Sequence, residues 1–301
     1  MHDSNIYDSK NRYMEYSVLK YLAFLKTADL QSFTKAAEAL SCSQSAVSRM
    51  IKDLEAEFGF SLLSRKKKTV ALTAEGKAML PKIRELVRAF DGVQNCADEL
   101  CGVESGVIRI GTFSSVATHW LPNIITAFQK DFPNIDYEFL LGDYAEIEEW
   151  IVSGRVDCGF LKVPAGGDIE TIPLEKDKLM VILPEGHPLS ECEFFPIRKL
   201  ADEPFILLEK GKCAEISELF EQYGISPKVH FTTWDDYAVM HMVESGMGIG
   251  ILPQLILRRT PYRIVAKELD VPAFRTIGAA VRSRDEASPA VKRFLEYLSY
   301  R

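Results

Sequence analysis

The stretch that decides the fold is SFTKAAEALSCSQSAVSRMIKDLEAEFGFSLLSRKKKTVALTAEGK, residues 32–77. Ser32 can cap a helix from Phe33 to Leu40 whose Ala36, Ala37 and Leu40 form a small apolar face, and small residues let a second helix approach closely. Ser41-Cys42 is then a turn. Ser43 caps a third helix from Gln44 to about Phe58, and Gly59 stops it. At roughly 100° per residue from Gln44, the side chains Val47, Ile51, Leu54 and Phe58 fall between about 280° and 340°. Gln44, Ser45, Ser48, Arg49 and Lys52 fall between about 0° and 140° on the same wheel. One face is core, and the adjoining face is short polar groups with cations. Gln and Arg read base edges bidentately, while Ser and Lys hold phosphates, so this face suits a DNA major groove. After it, Ser61-Leu62-Leu63-Ser64-Arg65 and Val70-Ala71-Leu72-Thr73 read as two short strands around the basic tip Lys66-Lys67-Lys68-Thr69. With an amphipathic helix over Tyr16 to Thr27 in front, the pattern is a winged helix-turn-helix.

Charge agrees with this placement. Residues 17–73 hold nine Lys/Arg against five Asp/Glu, whereas the 301-residue chain as a whole carries −7. A basic segment on an acidic protein marks a local site for a polyanion. The chain is 47% hydrophobic and 26% charged, which excludes disordered and collagen-like classes. The length suggests two domains. No apolar run reaches the roughly 18 residues of a membrane span, and MHDSNIYDSK lacks an apolar signal core, so a cytoplasmic protein is expected. Six scattered cysteines (Cys42, Cys96, Cys101, Cys158, Cys192, Cys213) and five histidines form no CxxC and no cluster, so neither a metal nor a cofactor is expected.

Residues 32–77 resemble, without a gap, the DNA-binding domain of LysR-type transcriptional regulators. The chain departs from the usual family pattern twice. Ser45 stands where the family has proline, which leaves helix entry less rigidly set, and Ser64 stands at a normally packed aromatic position before the wing. The resemblance implies a DNA-binding domain over 15–72, preceded by a disordered extension over 1–14. It implies contacts to double-stranded DNA from Ser32, Thr34, Ser43, Gln44, Ser45, Ser48, Arg49 and Lys52, and from the wing residues Arg65, Lys66, Lys67 and Lys68.

Thr73 then opens a long helix to about Cys101-Gly102. Its apolar positions Met79, Leu80, Ile83, Leu86, Val87, Phe90, Val93, Ala97 and Leu100 recur at spacings of three and four, as a helix seam does. Pro81 should loosen the first turns. The family has its dimerising linker helix here, which implies a homodimer, or a tetramer, reading an inverted repeat.

From Gly106 strands and helices alternate, as in a doubly wound α/β domain with ligands at strand carboxyl ends. IRIGTFSS, VSGRVDCGF and MVESGMGIGILPQ resemble the family's effector domain, which is similar to periplasmic binding proteins. Over 104–301 it implies two lobes (104–176 with 270–301, and 177–269), joined by crossover strands near Leu174–Met180 and Ala266–Ile277. A small-molecule effector between them, a small organic acid, would meet Thr112, Phe113, Ser114, Ser115, Tyr144, Phe160, Leu161, Glu209, Lys210, Thr233 and Trp234. The aromatics among these have a plainer reading as lobe packing. Gly246-Met247-Gly248-Ile249-Gly250 follows a helix and precedes a strand, so these glycines are a cap and turn, not a dinucleotide loop. Asp235-Asp236, Glu146-Glu148-Glu149 and Asp202-Glu203 read as solvated helix faces, with no nucleophile beside them. Two other functions compete: redox control through Cys213, next to Lys210 and Lys212, and an enzyme or binding protein built on the α/β domain alone.

Overall fold

A computed structural model describes residues 5–64, 70–100, 105–209 and 215–301. The chain divides into two compact units, Met1–Gly102 and Val103–Arg301. Among the described residues no helix is long and apolar enough to cross a membrane.

In the first unit, helices α1 (Asn5–Leu30), α2 (Phe33–Ala39) and α3 (Gln44–Phe58) precede a two-stranded ribbon, β1 (Leu63–Ser64) with β2 (Ala71–Leu72), and helix α4 (Ala74–Leu100). The caps fall on the expected residues. The Ser32 hydroxyl accepts from the Lys35 N–H at 3.3 Å, and the Ser43 hydroxyl accepts from the Ala46 N–H at 3.2 Å. Gly59 ends α3 in the left-handed region at φ 79°. Val47, Met50, Ile51 and Leu54 of α3 are buried against Ala23, Phe24, Ala36 and Ala37. The Glu55 carboxylate receives the N–H groups of Leu62 and Leu63 at 2.8 and 3.1 Å, which fixes where the ribbon leaves α3. Thr73 accepts from the Gly76 N–H at 2.9 Å and donates to the Ser61 carbonyl at 2.7 Å, so it caps α4 and ties it to the ribbon. Gly76 is required there, because a Cβ would stand 2.1 Å from the Leu62 carbonyl oxygen.

Two expectations change. The first helix begins at Asn5, not near Tyr16, so most of the stretch expected to be a disordered extension is helical. No Gly or Pro interrupts residues 5–30, and nothing in the chain chemistry stops the helix from growing backwards. Helix α4 runs unbroken through Pro81. Of its apolar seam, Ile83 and Val87 belong to the unit's own core, while Leu86 and Val93 are exposed.

The second unit is an α/β structure whose strands run in the order β4-β3-β5-β11-β6-β9-β7-β8, with β10 paired to β6. Its strands are β3 (Ser105–Thr112), β4 (Asn134–Leu141), β5 (Cys158–Lys162), β6 (Glu170–Pro184), β7 (Pro204–Leu208), β8 (Lys228–Thr233), β9 (Ile249–Pro253), β10 (Ile264–Glu268) and β11 (Phe274–Val281). Helices α5 (Ser114–His119), α6 (Leu121–Asp131), α7 (Tyr144–Ser153), α8 (Glu215–Tyr223), α9 (Asp236–Glu244), α10 (Gln254–Leu257) and α11 (Pro289–Glu296) connect and flank them. Strand β6 makes the two lobes. Its first part, through Lys178, pairs with β11, and from Leu179 it pairs with β9. One lobe packs around Ile108, Trp120, Phe128 and Phe294, the other around Val181, Phe205, Phe220 and Ile251.

The return crossing is not the single strand Ala266–Ile277. Strand β10 stays at the edge beside β6, and β11 starts afresh at Phe274. Pro272 lies in the gap, where it has no N–H to give a ladder. The glycine run behaves as a turn: Gly246 takes φ 72° after α9, and a Cβ on Gly248 would meet the Pro204 carbonyl oxygen at 2.5 Å.

Candidate functional site

Two sites emerge, one in each unit. On α3, Gln44, Ser45, Arg49 and Lys52 are exposed and Ser48 is half-buried, opposite the buried Val47, Ile51 and Leu54. Thr34 is exposed on α2 and Ser32 is half-buried at its cap. Arg49 and Lys52 have no acidic partner among the described residues, so their charge faces outward. Ser45, in place of proline, bonds its hydroxyl to that of Ser43 at 2.9 Å. The cap is thus strengthened by a side chain instead of a ring. Arg65, Lys66, Lys67 and Lys68 lie outside the described residues.

The second site is a cavity of about 160 Å³ between the lobes. Phe113, Ser114, Ser115 and Tyr144 line it from one lobe, and Glu209, Glu215, Trp234 and Asp236 from the other, with Arg275 at its floor. The buried Arg275 guanidinium organises it. Its Nε and Nη2 donate to Asp177 Oδ2 at 3.0 and 2.8 Å, Nη2 also donates to Ser115 Oγ at 2.9 Å, and Nη1 donates to Tyr144 Oη at 2.7 Å. The guanidinium lies over the Phe113 ring at 5.0 Å, and Phe113 meets Tyr144 edge-on at 5.2 Å. Asp177 in turn accepts the Leu255 N–H at 2.8 Å, where α10 begins. Burial opposes the Arg275 charge, but Tyr144, Glu215 and Asp177 outweigh that cost and hold its pKa above the ordinary value. Burial raises the Asp236 carboxyl, against the opposing pull of Arg275 and a hydrogen bond with Ser114.

Six of the expected effector residues meet here: Phe113, Ser114, Ser115, Tyr144, Glu209 and Trp234. Four do not line the cavity. Phe160 and Leu161 sit on β5, which is flanked by β3 and β11 and covered on both faces, so both are core residues. Phe160 packs edge-on against Trp120 at 6.2 Å. Thr112 is buried at the end of β3, and the Thr233 hydroxyl accepts the Asp235 N–H at 3.3 Å. Lys210 lies outside the described residues, as do Lys212 and Cys213.

Residue types alone do not single out Arg275, Asp177 and Glu215. Asp236 is not part of a solvated pair. Asp235 caps α9, accepting from Tyr237 and Ala238, while its neighbour turns into the cavity. The usable signal is an arginine in the mostly apolar strand FRTIGAAV, because a charge in a buried strand needs a partner, whereas Asp177 stands between Lys176 and Lys178 and gives no such signal. Elsewhere the acids do serve local structure. Asp143 and Glu146 form a reciprocal capping box on α7, and Lys199 pairs with Asp202 at 2.9 Å. His241 pairs with Glu244 at 3.4 Å, and among the described residues no group of His, Cys, Asp and Glu could hold a metal ion.

A helix-turn-helix head followed by a two-lobed domain with a central cleft defines a ligand-binding DNA-binding regulator. Residues 20–77 match the bacterial regulatory helix-turn-helix protein, lysR family, and residues 102–301 match the LysR substrate binding domain. The chain belongs to the LysR family of transcriptional regulators. It is 33% identical over 283 residues to the HTH-type transcriptional regulator YvbU of Bacillus subtilis, covering 93% of this chain and 97% of that protein. A full-length OxyR variant from Pseudomonas aeruginosa shares the fold at TM-score 0.72 and 21% identity, over 95% of this chain and 93% of its own. HinK, a LysR family regulator from Pseudomonas aeruginosa, is 27% identical at TM-score 0.58, over 93% of this chain and 96% of its own.

Proposed function

We propose that this regulator reads an inverted-repeat operator as a homodimer and that a small organic acid held between its lobes sets how well it does so. On α3, Gln44, Ser45, Ser48 and Arg49 would enter the major groove, with Lys52, Ser32, Thr34 and Ser43 near the backbone and Arg65 to Lys68 on phosphate or minor groove. Pairing through α4 is supported by its exposed stripe. Leu86, Phe90 and Val93 follow one another at i, i+4 and i+7, and the head's own core leaves Leu86 and Val93 uncovered. Assembly to a tetramer is an extension of the same reading.

The cavity between the lobes carries the effector part of the proposal. It draws its walls from both lobes, so a ligand that fills it changes the free energy of lobe closure. Ser114 and Ser115 present hydroxyls where a carboxylate would sit. Phe113, Tyr144 and Trp234 supply flat apolar surface for the remainder. Titration of the full chain with operator DNA at several salt concentrations tests the DNA half. Arg49→Ala is expected to lose about 1–3 kcal/mol, mostly as sequence preference. Lys67→Ala is expected to weaken all sequences alike and to flatten the salt slope by about one unit. Equal operator affinity in Arg49→Ala and the unaltered chain would remove α3 from the base contacts.

A further inference from the structure

The cavity holds a cation, Arg275, but that cation is consumed. Four of the five N–H groups of Arg275 are taken by Asp177, Ser115 and Tyr144. Its remaining Nη1 direction faces Glu215 Oε2 at 4.0 Å. A ligand carboxylate therefore finds no vacant guanidinium edge. It finds the Ser115 hydroxyl, which accepts from Arg275 and keeps its own hydrogen to donate.

The opposite lobe presents the reverse chemistry. Glu215 Oε1 is buried and has no hydrogen-bond partner among the described residues, although the residue lines the cavity. An unpaired buried carboxylate oxygen is costly and calls for a donor. Asp236 and Glu209 face the same space. Glu209 Oε1 already accepts from Ser217 at 3.1 Å. Burial raises the Asp236 pKa even against the pull of Arg275 and its hydrogen bond with Ser114. Among the described lining residues there is thus an excess of acid beside a single, already paired arginine.

Resting on the reading of this cleft as the effector site, we propose that its ligand carries a protonated amine as well as a carboxylate: an α-amino acid or a molecule built like one. The ammonium is received by Glu215 and Asp236, the carboxylate lies toward Ser115, and the side chain lies against Phe113, Tyr144 and Trp234. The ammonium supplies the donors that Glu215 Oε1 lacks, and its charge opposes the upward push that burial gives the Asp236 carboxyl. A simple carboxylic acid would satisfy neither and would add a negative charge to an acidic wall.

Matched pairs that differ only in the amine provide the test: phenylalanine with 3-phenylpropanoate, leucine with 4-methylpentanoate, and glutamate with glutarate. Calorimetric titration of the full chain is expected to show the amino member of at least one pair binding tenfold or more tightly than its partner. That ratio is expected to fall toward one in Glu215→Gln and to shrink in Asp236→Asn, with both variants checked for a single cooperative melting transition. Carboxylates that bind as well as their amino partners overturn the proposal, as does an amine advantage that survives in both variants. Binding by none of the six compounds overturns it as well. If the carboxylates bind and Ser115→Ala or Trp234→Ala weakens them, the cleft stands and only the amine is lost. If binding is indifferent to those two variants, the cleft reading falls too.

Discussion

The proposed DNA-reading face and the proposed effector cleft are built in opposite ways. The first comes from one helix: Gln44, Ser45, Ser48, Arg49 and Lys52 lie within nine consecutive positions, and their common face follows from helix geometry. The second is collected from Phe113–Ser115, Tyr144, Asp177, Glu215, Trp234–Asp236 and Arg275, six places that only the crossing of β6 and β11 brings together. A contiguous site tolerates change at its surface without loss of fold. A collected site shares Arg275 and Asp177 with the strands that join the lobes, so a change at either of those two reaches stability as well as function.

The largest expected effect exposes that difference. Arg275→Ala leaves Asp177 buried without its partner, and breaking such a pair costs about 3–5 kcal/mol. Urea unfolding of the full chain is expected to show that loss, whereas Arg49→Ala, exposed and unpaired among the described residues, is expected to leave the unfolding midpoint in place. Comparable losses from the two would erase the contrast.

Next in size is Gly76→Ala, the one change in the head expected to behave like a change in the cleft. The added methyl runs into the Leu62 carbonyl, and such overpacking costs about 1–3 kcal/mol or more. A melting temperature equal to that of the unaltered chain would show that the contact between α4 and the ribbon gives way freely. Ser43→Ala removes the cap of α3 and its bond to Ser45, with an expected cost of about 1 kcal/mol in thermal unfolding. The same change is expected to weaken operator binding, because the entry of the reading helix frays.

The smallest effect is one of pH. Asp236 has a folded-state pKa raised chiefly by burial, so its protonated form is the one the fold favours. Its contribution is complete below the ordinary aspartate pKa and is lost as pH rises through the raised one. Asp236→Asn mimics the protonated state. The stability difference between variant and unaltered chain is therefore expected to be flat in acid and to turn in the variant's favour as pH rises. A difference that does not change with pH would mean that the carboxyl is not pressed by burial.

The same contrast explains what could be read from the sequence. Caps at Ser32, Ser43 and Thr73, the core row of α3 and the strand starts of the second unit are local patterns, written in neighbouring residues. The crossover was only half legible, since β6 announces itself as a long run while Pro272 splits the return path into β10 and β11. Phe160 looked like a pocket aromatic because aromatic content says nothing about which face of a strand is covered. Asp236 looked like its neighbour Asp235, although Asp235 is the extended cap of α9 and Asp236 its first helical residue, so the two side chains serve different places. Arg275 and Asp177 stand 98 positions apart in the chain, and no local pattern links them.

The central claim is that one chain holds two separable recognitions, DNA on α3 and a small molecule between the lobes, with the second acting on the first. The most direct measurement is operator affinity with and without a cleft ligand in the unaltered chain, in Arg49→Ala and in Trp234→Ala. Arg49→Ala is expected to lose operator preference while still binding the ligand, and Trp234→Ala to keep ligand-free DNA affinity while losing the response. Loss of DNA preference in Trp234→Ala, or a full ligand response in it, would contradict the account.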